Sequence, residues 1–469
     1  MFNVYKSDSE GARFAFSKKK LATWINPRSV KVSVNSSELY QKVFGFGGSL
    51  SDAAALNMHS LGEQTKDNLL ASYFSELGIE YNIIRIPIGG NVYSERIYTL
   101  DDVNGDISLF RFNLSFEDVT LRIPDLHKIQ KLSRNGIQIV GTAWTAPPWM
   151  KTNGDYKGFG VLKEEMYPLW SKYHLRFLEE YEKHGLSFWA ITTGHQPSSG
   201  FVPFYPYNCM GWTPFSQGRW ISENLGPDLR GSKYNKTKII VLDDSRFFLP
   251  WWPKMMFNNH KTKTYVDGIG VQWYWNFLFP QRLVDLTHAE FPEKFIINTE
   301  ASFNKWKTSS GPVLLGSWER AEEYAESIIN DLNHWFSGWM DANLVLDLHG
   351  GPSWGGNFAD AAIIVNKSAN EFYKQPMFYA MGHFSKFIPW GSFRVGVKVS
   401  KPCLKATGFR TPQGNVVIVM INKKNYDFPV TIVGAKKGNA NIYVKKKSIV
   451  TVIFRDKKLP LNKKIPFNL

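Results

Sequence analysis

Apolar runs of strand length recur eight times along this chain, each followed by a longer stretch in which apolar residues return every three or four positions. The runs are Val43 to Phe46, Asn82 to Pro87, Ile137 to Ala143, Phe188 to Thr193, Lys238 to Asp243, Gly268 to Trp273, Phe295 to Thr299 and Leu344 to Leu348. Trp170 to His184 and Glu319 to Phe336 show the helical spacing between them. Short continuous apolar runs suit strands covered on both faces, as in parallel sheets. Strand then helix, eight times over, predicts a closed (β/α)8 barrel of the α/β class.

Past the barrel the pattern changes. Residues 395–467 alternate with period two, broken by Pro412-Gln413-Gly414-Asn415 and by Gly434 to Asn439, which reads as antiparallel hairpins. The first forty residues also read as short strands. Both ends of the chain are therefore expected to share one accessory antiparallel β-sandwich. The expected division is 1–40 for the first sandwich strands, 41–390 for the barrel and 391–469 for a basic sandwich, and 469 residues suffice for a large and a small domain.

Charge follows that division. Fourteen Lys and two Arg face only Asp427 and Asp456 beyond residue 394, so this part carries +14 of the chain's +15. Clusters such as Lys436-Lys437, Lys445-Lys446-Lys447, Lys457-Lys458 and Lys463-Lys464 could hold an anionic membrane surface. A solvated strand face that resists edge pairing explains them equally well, and nucleic acid is not the expected partner. Cys209 and Cys403, the two cysteines, imply no disulfide framework. Met1 to Glu10 contains no apolar signal core, and no run of about 18 apolar residues occurs. The sequons at Asn35, Asn113, Asn235 and Asn366 point instead to the secretory path, which a signal removed ahead of Met1 would reconcile. The compartment stays open between cytoplasm and that path.

Chemistry in such barrels sits at the carboxyl ends of the strands. That rule selects Ser51-Asp52, Trp144, His195-Gln196, Asp243-Asp244, Gln272-Trp273-Tyr274, Glu300, and Asp341 with Asp347. The 17 Trp residues either enrich the core or line a carbohydrate cleft with flat rings. A retaining glycosidase needs two carboxyls about 5 to 5.5 Å apart, one attacking the anomeric carbon and one protonating the leaving oxygen. Positions 196 and 300, on strands four and seven, form the natural pair. Position 196 is glutamine, whose amide can donate a hydrogen bond but cannot release a proton near neutral pH. No metal or cofactor is expected.

These residues also carry a family resemblance. Gly45-Phe46-Gly47-Gly48-Ser49-Leu50-Ser51-Asp52-Ala53-Ala54-Ala55-Leu56-Asn57 resembles the glucosylceramidases of glycoside hydrolase family 30. So do the stretch Trp144 to Gly154, the stretch Tyr373-Lys374-Gln375-Pro376-Met377-Phe378-Tyr379, and Gly382-His383-Phe384-Ser385-Lys386-Phe387-Ile388-Pro389. The resemblance runs from about residue 2 to residue 455 and implies a (β/α)8 barrel with a β-sandwich, lysosomal or secreted in the family, acting on glucosylceramide. It makes Glu300 the nucleophile position, Asp52 and Trp144 glucose contacts, and Trp273 and Tyr274 an aromatic wall.

The chain departs from the family at one mouth. The Asn-Glu-Pro that supplies the acid/base is His195-Gln196-Pro197, and the glutamate two positions before the acid/base is Gly194. The histidine before Trp273 is Gln272, the tryptophan after Asp341 is Ala342, and the strand-eight asparagine aligns with Asp347. Losing a general acid typically costs about 10²- to 10⁴-fold. Three readings follow. The first is a pseudo-glycosidase that binds a β-glucoside or glucosyl lipid without normal turnover. The second is an active enzyme with altered chemistry, cleaving activated or thio-glucosides as myrosinases do with glutamine at this position, or using His195 or Asp347 as the acid. The third is a scaffold with a vestigial cleft.

Overall fold

The computed structural model describes residues 1–304, 311–434 and 438–455, in two compact units. One unit spans Gly47–Leu315 and Trp339–Lys374. The other gathers Met1–Phe46, Gly316–Gly338 and the chain from Gln375 onward.

Eight strands form one barrel sheet. Strand one (Gly45–Ser49), two (Ile83–Pro87), three (Gln138–Thr142), four (Ala190–Thr192), five (Lys238–Ser245), six (Gly268–Gln272) and seven (Phe295–Glu300) follow one another in space as in sequence, all parallel. Strand eight (Gly338–Asp341) lies beside strand one. Just past the ends of strands eight and seven, Ala342 N donates to Ala301 O at 2.8 Å. Side chains on these strands are almost all buried, as expected of a parallel sheet covered by helices. Glycine is required in strand one, because a Cβ on Gly47 would sit 1.7 Å from the Ile83 carbonyl oxygen of strand two.

One expected strand is misplaced. Leu344 to Leu348 does not close the barrel; its core, Val345–Asp347, pairs in parallel with Ile363–Asn366, which pairs antiparallel with Glu371–Lys374 in a separate three-stranded sheet. The closing strand is the preceding buried run, Gly338–Asp341. Two short apolar runs stand only three residues apart, and apolar content alone cannot say which one the barrel takes. Asp347 therefore sits outside the barrel sheet.

The other unit contains the expected shared sheet. Its nine strands run in the order Ala440–Val444, Phe428–Val433, Val30–Lys42, Phe393–Val399, Lys405–Arg410, Asn415–Asn422, Ser448–Arg455, Phe2–Asp8 and Ala15–Lys19. Amino-terminal and carboxyl-terminal strands are hydrogen-bonded directly, with Val4 opposite Val452. Their alternate residues, among them Val32, Val416, Ile418, Val430, Ile432 and Val452, make one apolar core. Helices Trp318–Asn333 and Pro376–Ser385 belong to this unit. On the second, the buried His383 places Nδ1 2.8 Å from Thr451 Oγ1 and Nε2 2.9 Å from Ser7 Oγ, tying the helix to the last and first long strands.

The lysine clusters are partly neutralised within the unit. Lys445 pairs with Asp427 at 2.9 Å, Lys446 with Glu10 at 3.0 Å and Lys447 with Glu322 at 3.3 Å. Lys436-Lys437, Lys457-Lys458 and Lys463-Lys464 lie outside the described residues. No described helix is long and apolar enough to cross a membrane.

Candidate active site

Strand two carries a charge through an apolar run: Ile83-Ile84-Arg85-Ile86-Pro87, with Arg85 fully buried. An unpaired guanidinium there would be prohibitive, so the fold must supply anions. Arg85 Nη1 donates to Glu300 Oε2 at 2.5 Å, Nη2 to Asp243 Oδ2 at 2.6 Å, and Nε to Thr142 Oγ1 at 3.1 Å. Strands two, three, five and seven are thus fastened at one end of the barrel by one side chain.

Irregular backbone aims the carboxylates. Strand five shifts register between Leu242 and Asp244, with Leu242 at φ 71° and Asp243 at φ 53°, and strand seven shifts between Asn298 and Glu300. Such bulges re-aim side chains next to active sites. Asp243 Oδ1 also accepts from Thr299 Oγ1 at 2.6 Å, while Asp244 Oδ2 accepts from Ser198 Oγ at 2.7 Å.

Glu300 is hydrogen-bonded from two sides. Besides Arg85, Tyr274 OH donates to Oε1 at 2.9 Å, while His195 Nε2 lies 3.2 Å from Oε2, close enough for an ion pair when the imidazole is protonated but outside hydrogen-bonding geometry. Burial pushes the Glu300 carboxyl up, but the His195 imidazole and then the Arg85 guanidinium outweigh it and bring it to about 2 from an ordinary 4.5. Burial, then Glu300 itself, raises the Tyr274 hydroxyl well above its usual value, so it stays a donor. The His195 ring stacks on Trp144 at 4.4 Å and 20°, and the Arg85 guanidinium lies 4.9 Å from the Trp144 ring. Trp144 Nε1 is buried and has no partner among the described residues.

Gln196 stands beside this group on strained backbone, at φ 41°. Its Nε2 donates to Gln272 Oε1 at 2.6 Å, and its Oε1 accepts from Tyr205 OH at 3.2 Å. Gln272 Nε2 in turn donates to the Asp243 carbonyl oxygen at 3.0 Å and to Asp243 Oδ1 at 3.3 Å. Residues 196, 272, 243, 85 and 300 thereby form one chain of contacts.

The remaining candidates fall into two groups. Trp273 is buried just past strand six, its Nε1 donating to Ser302 O at 3.1 Å and its ring edge-on to Phe303 at 5.0 Å. Asp341 is buried at the end of strand eight and, like Glu300, bears electrostatically on the Tyr93 hydroxyl. Asp52 begins the helix Asp52–His59, capped by Ser51, and its carboxylate is occupied by Arg122, by Ser94 Oγ at 2.6 Å and by Tyr98 OH at 2.9 Å. Asp347 is spent on a turn, its Oδ1 accepting from His349 N at 2.8 Å and Gly351 N at 2.9 Å. Among the described residues no group of three or more His, Cys, Asp or Glu is placed to hold a metal ion.

Arg85, Tyr205 and Ser302 escaped the sequence reading. Arg85 left a signal, a lone charge in a buried strand. Tyr205 and Ser302 left none, since a loop tyrosine and a serine after a strand are common.

A parallel barrel with an ionised, clasped carboxylate at the end of strand seven has the plan of a barrel glycoside hydrolase. The chain belongs to glycoside hydrolase family 30: residues 43–388 match the TIM-barrel domain of that family and residues 391–452 its beta sandwich domain. It is 40% identical to the lysosomal acid glucosylceramidase of Mus musculus over 439 residues, 92% of this chain and 84% of that protein. It is 38% identical to putative glucosylceramidase 3 of Caenorhabditis elegans, over 97% of this chain and 88% of that one. In fold it matches SrfJ from Salmonella typhimurium with a TM-score of 0.88 at 22% identity, over 97% of this chain and 100% of that one. The endo-beta1,6-glucanase BT3312 gives 0.85 at 21%, over 97% and 99%.

Proposed function

We propose that this glucosylceramidase-like chain binds a β-glucoside or glucosyl lipid at the barrel mouth but lacks normal glycosidase turnover. The observation that carries the reading is the contrast between Glu300, ionised and clasped by Arg85, His195 and Tyr274, and Gln196, an amide where the leaving group would need a proton. The carboxylate can attack an anomeric carbon; the amide cannot protonate an alkoxide. Trp144, whose ring lies against His195 and Arg85, keeps a buried Nε1 without an acceptor among the described residues, a donor that suits a sugar hydroxyl. The glucosylceramidase names of the relatives favour a glucosyl group on a lipid aglycone.

A second reading, cleavage of activated or thio-glucosides, draws on the same pair. Gln196 uses one amide N–H on Gln272 and keeps another for an aglycone atom that departs unaided. Neither substitute acid fits well. His195 faces the nucleophile, and Asp347 is on a separate sheet.

The test is a leaving-group series with added azide. Aryl β-glucosides with good leaving groups should react and alkyl glucosides should not, and azide, which needs no general base, should accelerate release of the sugar. Equal rates on aryl and alkyl glucosides would show a working acid and overturn the reading.

A further inference from the structure

We propose that Gln272 is a positioning residue that dictates the chemistry of position 196, accepting only a side chain that donates a hydrogen bond there. The argument lies in which end of the Gln272 amide must face which neighbour. On one side stand the Asp243 carbonyl oxygen at 3.0 Å and Asp243 Oδ1 at 3.3 Å. Both can only accept, because Asp243 is salt-bridged to Arg85 at 2.6 Å and also receives the Thr299 hydroxyl. The Gln272 nitrogen must therefore point at Asp243, and flipping the amide would set its oxygen against two acceptors. Its oxygen is left facing residue 196 at 2.6 Å, and an acceptor at that distance demands a donor.

Gln196 meets the demand with its NH2 group. A carboxylate cannot; only a protonated carboxyl could. The loss of the acid at 196 and the glutamine at 272 are on this view one coupled change, and reversing the first alone leaves a carboxyl that holds its proton too long to serve as a base. The Gln196→Glu side chain would face an oxygen on one side and, on the other, the Tyr205 hydroxyl, 3.2 Å from the present Gln196 Oε1. Gln272→His would keep a donor toward Asp243 through one ring N–H and, as the imidazolium, present its second N–H to residue 196 in place of an oxygen, which releases the constraint.

The inference rests on reading 196 as the proton-donor position, and its test does not need substrate. With glutamate carboxyls labelled by ¹³C, the resonance present in Gln196→Glu and absent from the unmodified chain can be titrated by NMR. In Gln196→Glu its midpoint should lie at least about one pH unit above that in Gln196→Glu with Gln272→His, as expected for a carboxyl that gains or loses one short hydrogen bond. Gln196→Glu with Gln272→Ala, which removes the oxygen without adding a donor, should also bring the midpoint down. Equal midpoints in all three would overturn the proposal. On an aryl β-glucoside the alkaline limb of kcat/KM should move with the same order, a shift that mere loss of packing would not produce. Labelling of Glu300 by a cyclitol epoxide in the same variants reports the glucose subsite separately, so failure to label counts against the glucoside reading alone.

Discussion

Arg85 and Glu300 meet at 2.5 Å inside the barrel, and the same guanidinium holds Asp243 at 2.6 Å. One buried cation thus serves two carboxylates with different tasks, since Glu300 faces the mouth and Asp243 orients the amide of Gln272. Glu300 and the Gln196–Gln272 pair thereby share a single electrostatic support.

Removing that support should be costly in two ways. Arg85→Met leaves two buried carboxylates without their cation, and breaking a buried pair from one side costs roughly 3–5 kcal/mol. Denaturant unfolding should show a loss of that order. Because Arg85 helps hold Glu300 down near 2 against its burial, epoxide labelling of Glu300 in the variant should fall off at a higher pH than in the unmodified chain. An unchanged pH profile with the fold intact would mean His195 alone keeps the carboxylate ionised.

Acid stability should depend on His383. Burial lowers its imidazole to about 3, against 6.5 for an ordinary histidine. Between those values the unfolded chain takes up a proton that the fold refuses, so stability is full above pH 6.5 and declines as pH falls toward 3, by up to about 1.4 kcal/mol per pH unit. His174, lowered by burial to about 4, adds to the same slope. In His383→Gln, melting temperature should fall less steeply from pH 7 to 4.5 than in the unmodified chain. Parallel slopes would place the acid sensitivity elsewhere.

The lysine triplet should matter little to lipid binding. Lys445, Lys446 and Lys447 each have an acidic partner within 3.3 Å, so they offer less free charge than their number suggests. Changing all three to Ser should leave co-sedimentation with anionic vesicles nearly unchanged from about 0.01 M to 0.15 M salt, where the Debye length shrinks from about 30 Å to 8 Å. A large drop in the variant at low salt would instead establish the triplet as a membrane contact.

Much of this architecture was legible in the chain because it rests on period and composition. Seven barrel strands and both ends of the sandwich sheet follow from the apolar runs and their alternation. The eighth strand was not legible, because Gly338–Asp341 and Val345–Asp347 are equally short and apolar and only tertiary closure chooses between them. The same ambiguity drew Asp347 into the mouth on paper. Contacts between side chains distant in sequence were hidden as well: Gln196 to Gln272 spans 76 residues and Arg85 to Glu300 spans 215.

The most direct test of the account follows one reaction to its end. The protein is mixed with an aryl β-glucoside whose phenol departs unaided, quenched in acid, and weighed intact before peptide mapping. The account predicts a burst of about one phenol per chain and a single hexosyl ester on Glu300 that persists, because Gln196 cannot activate water to release it. Continuous turnover without any ester on Glu300 would contradict it.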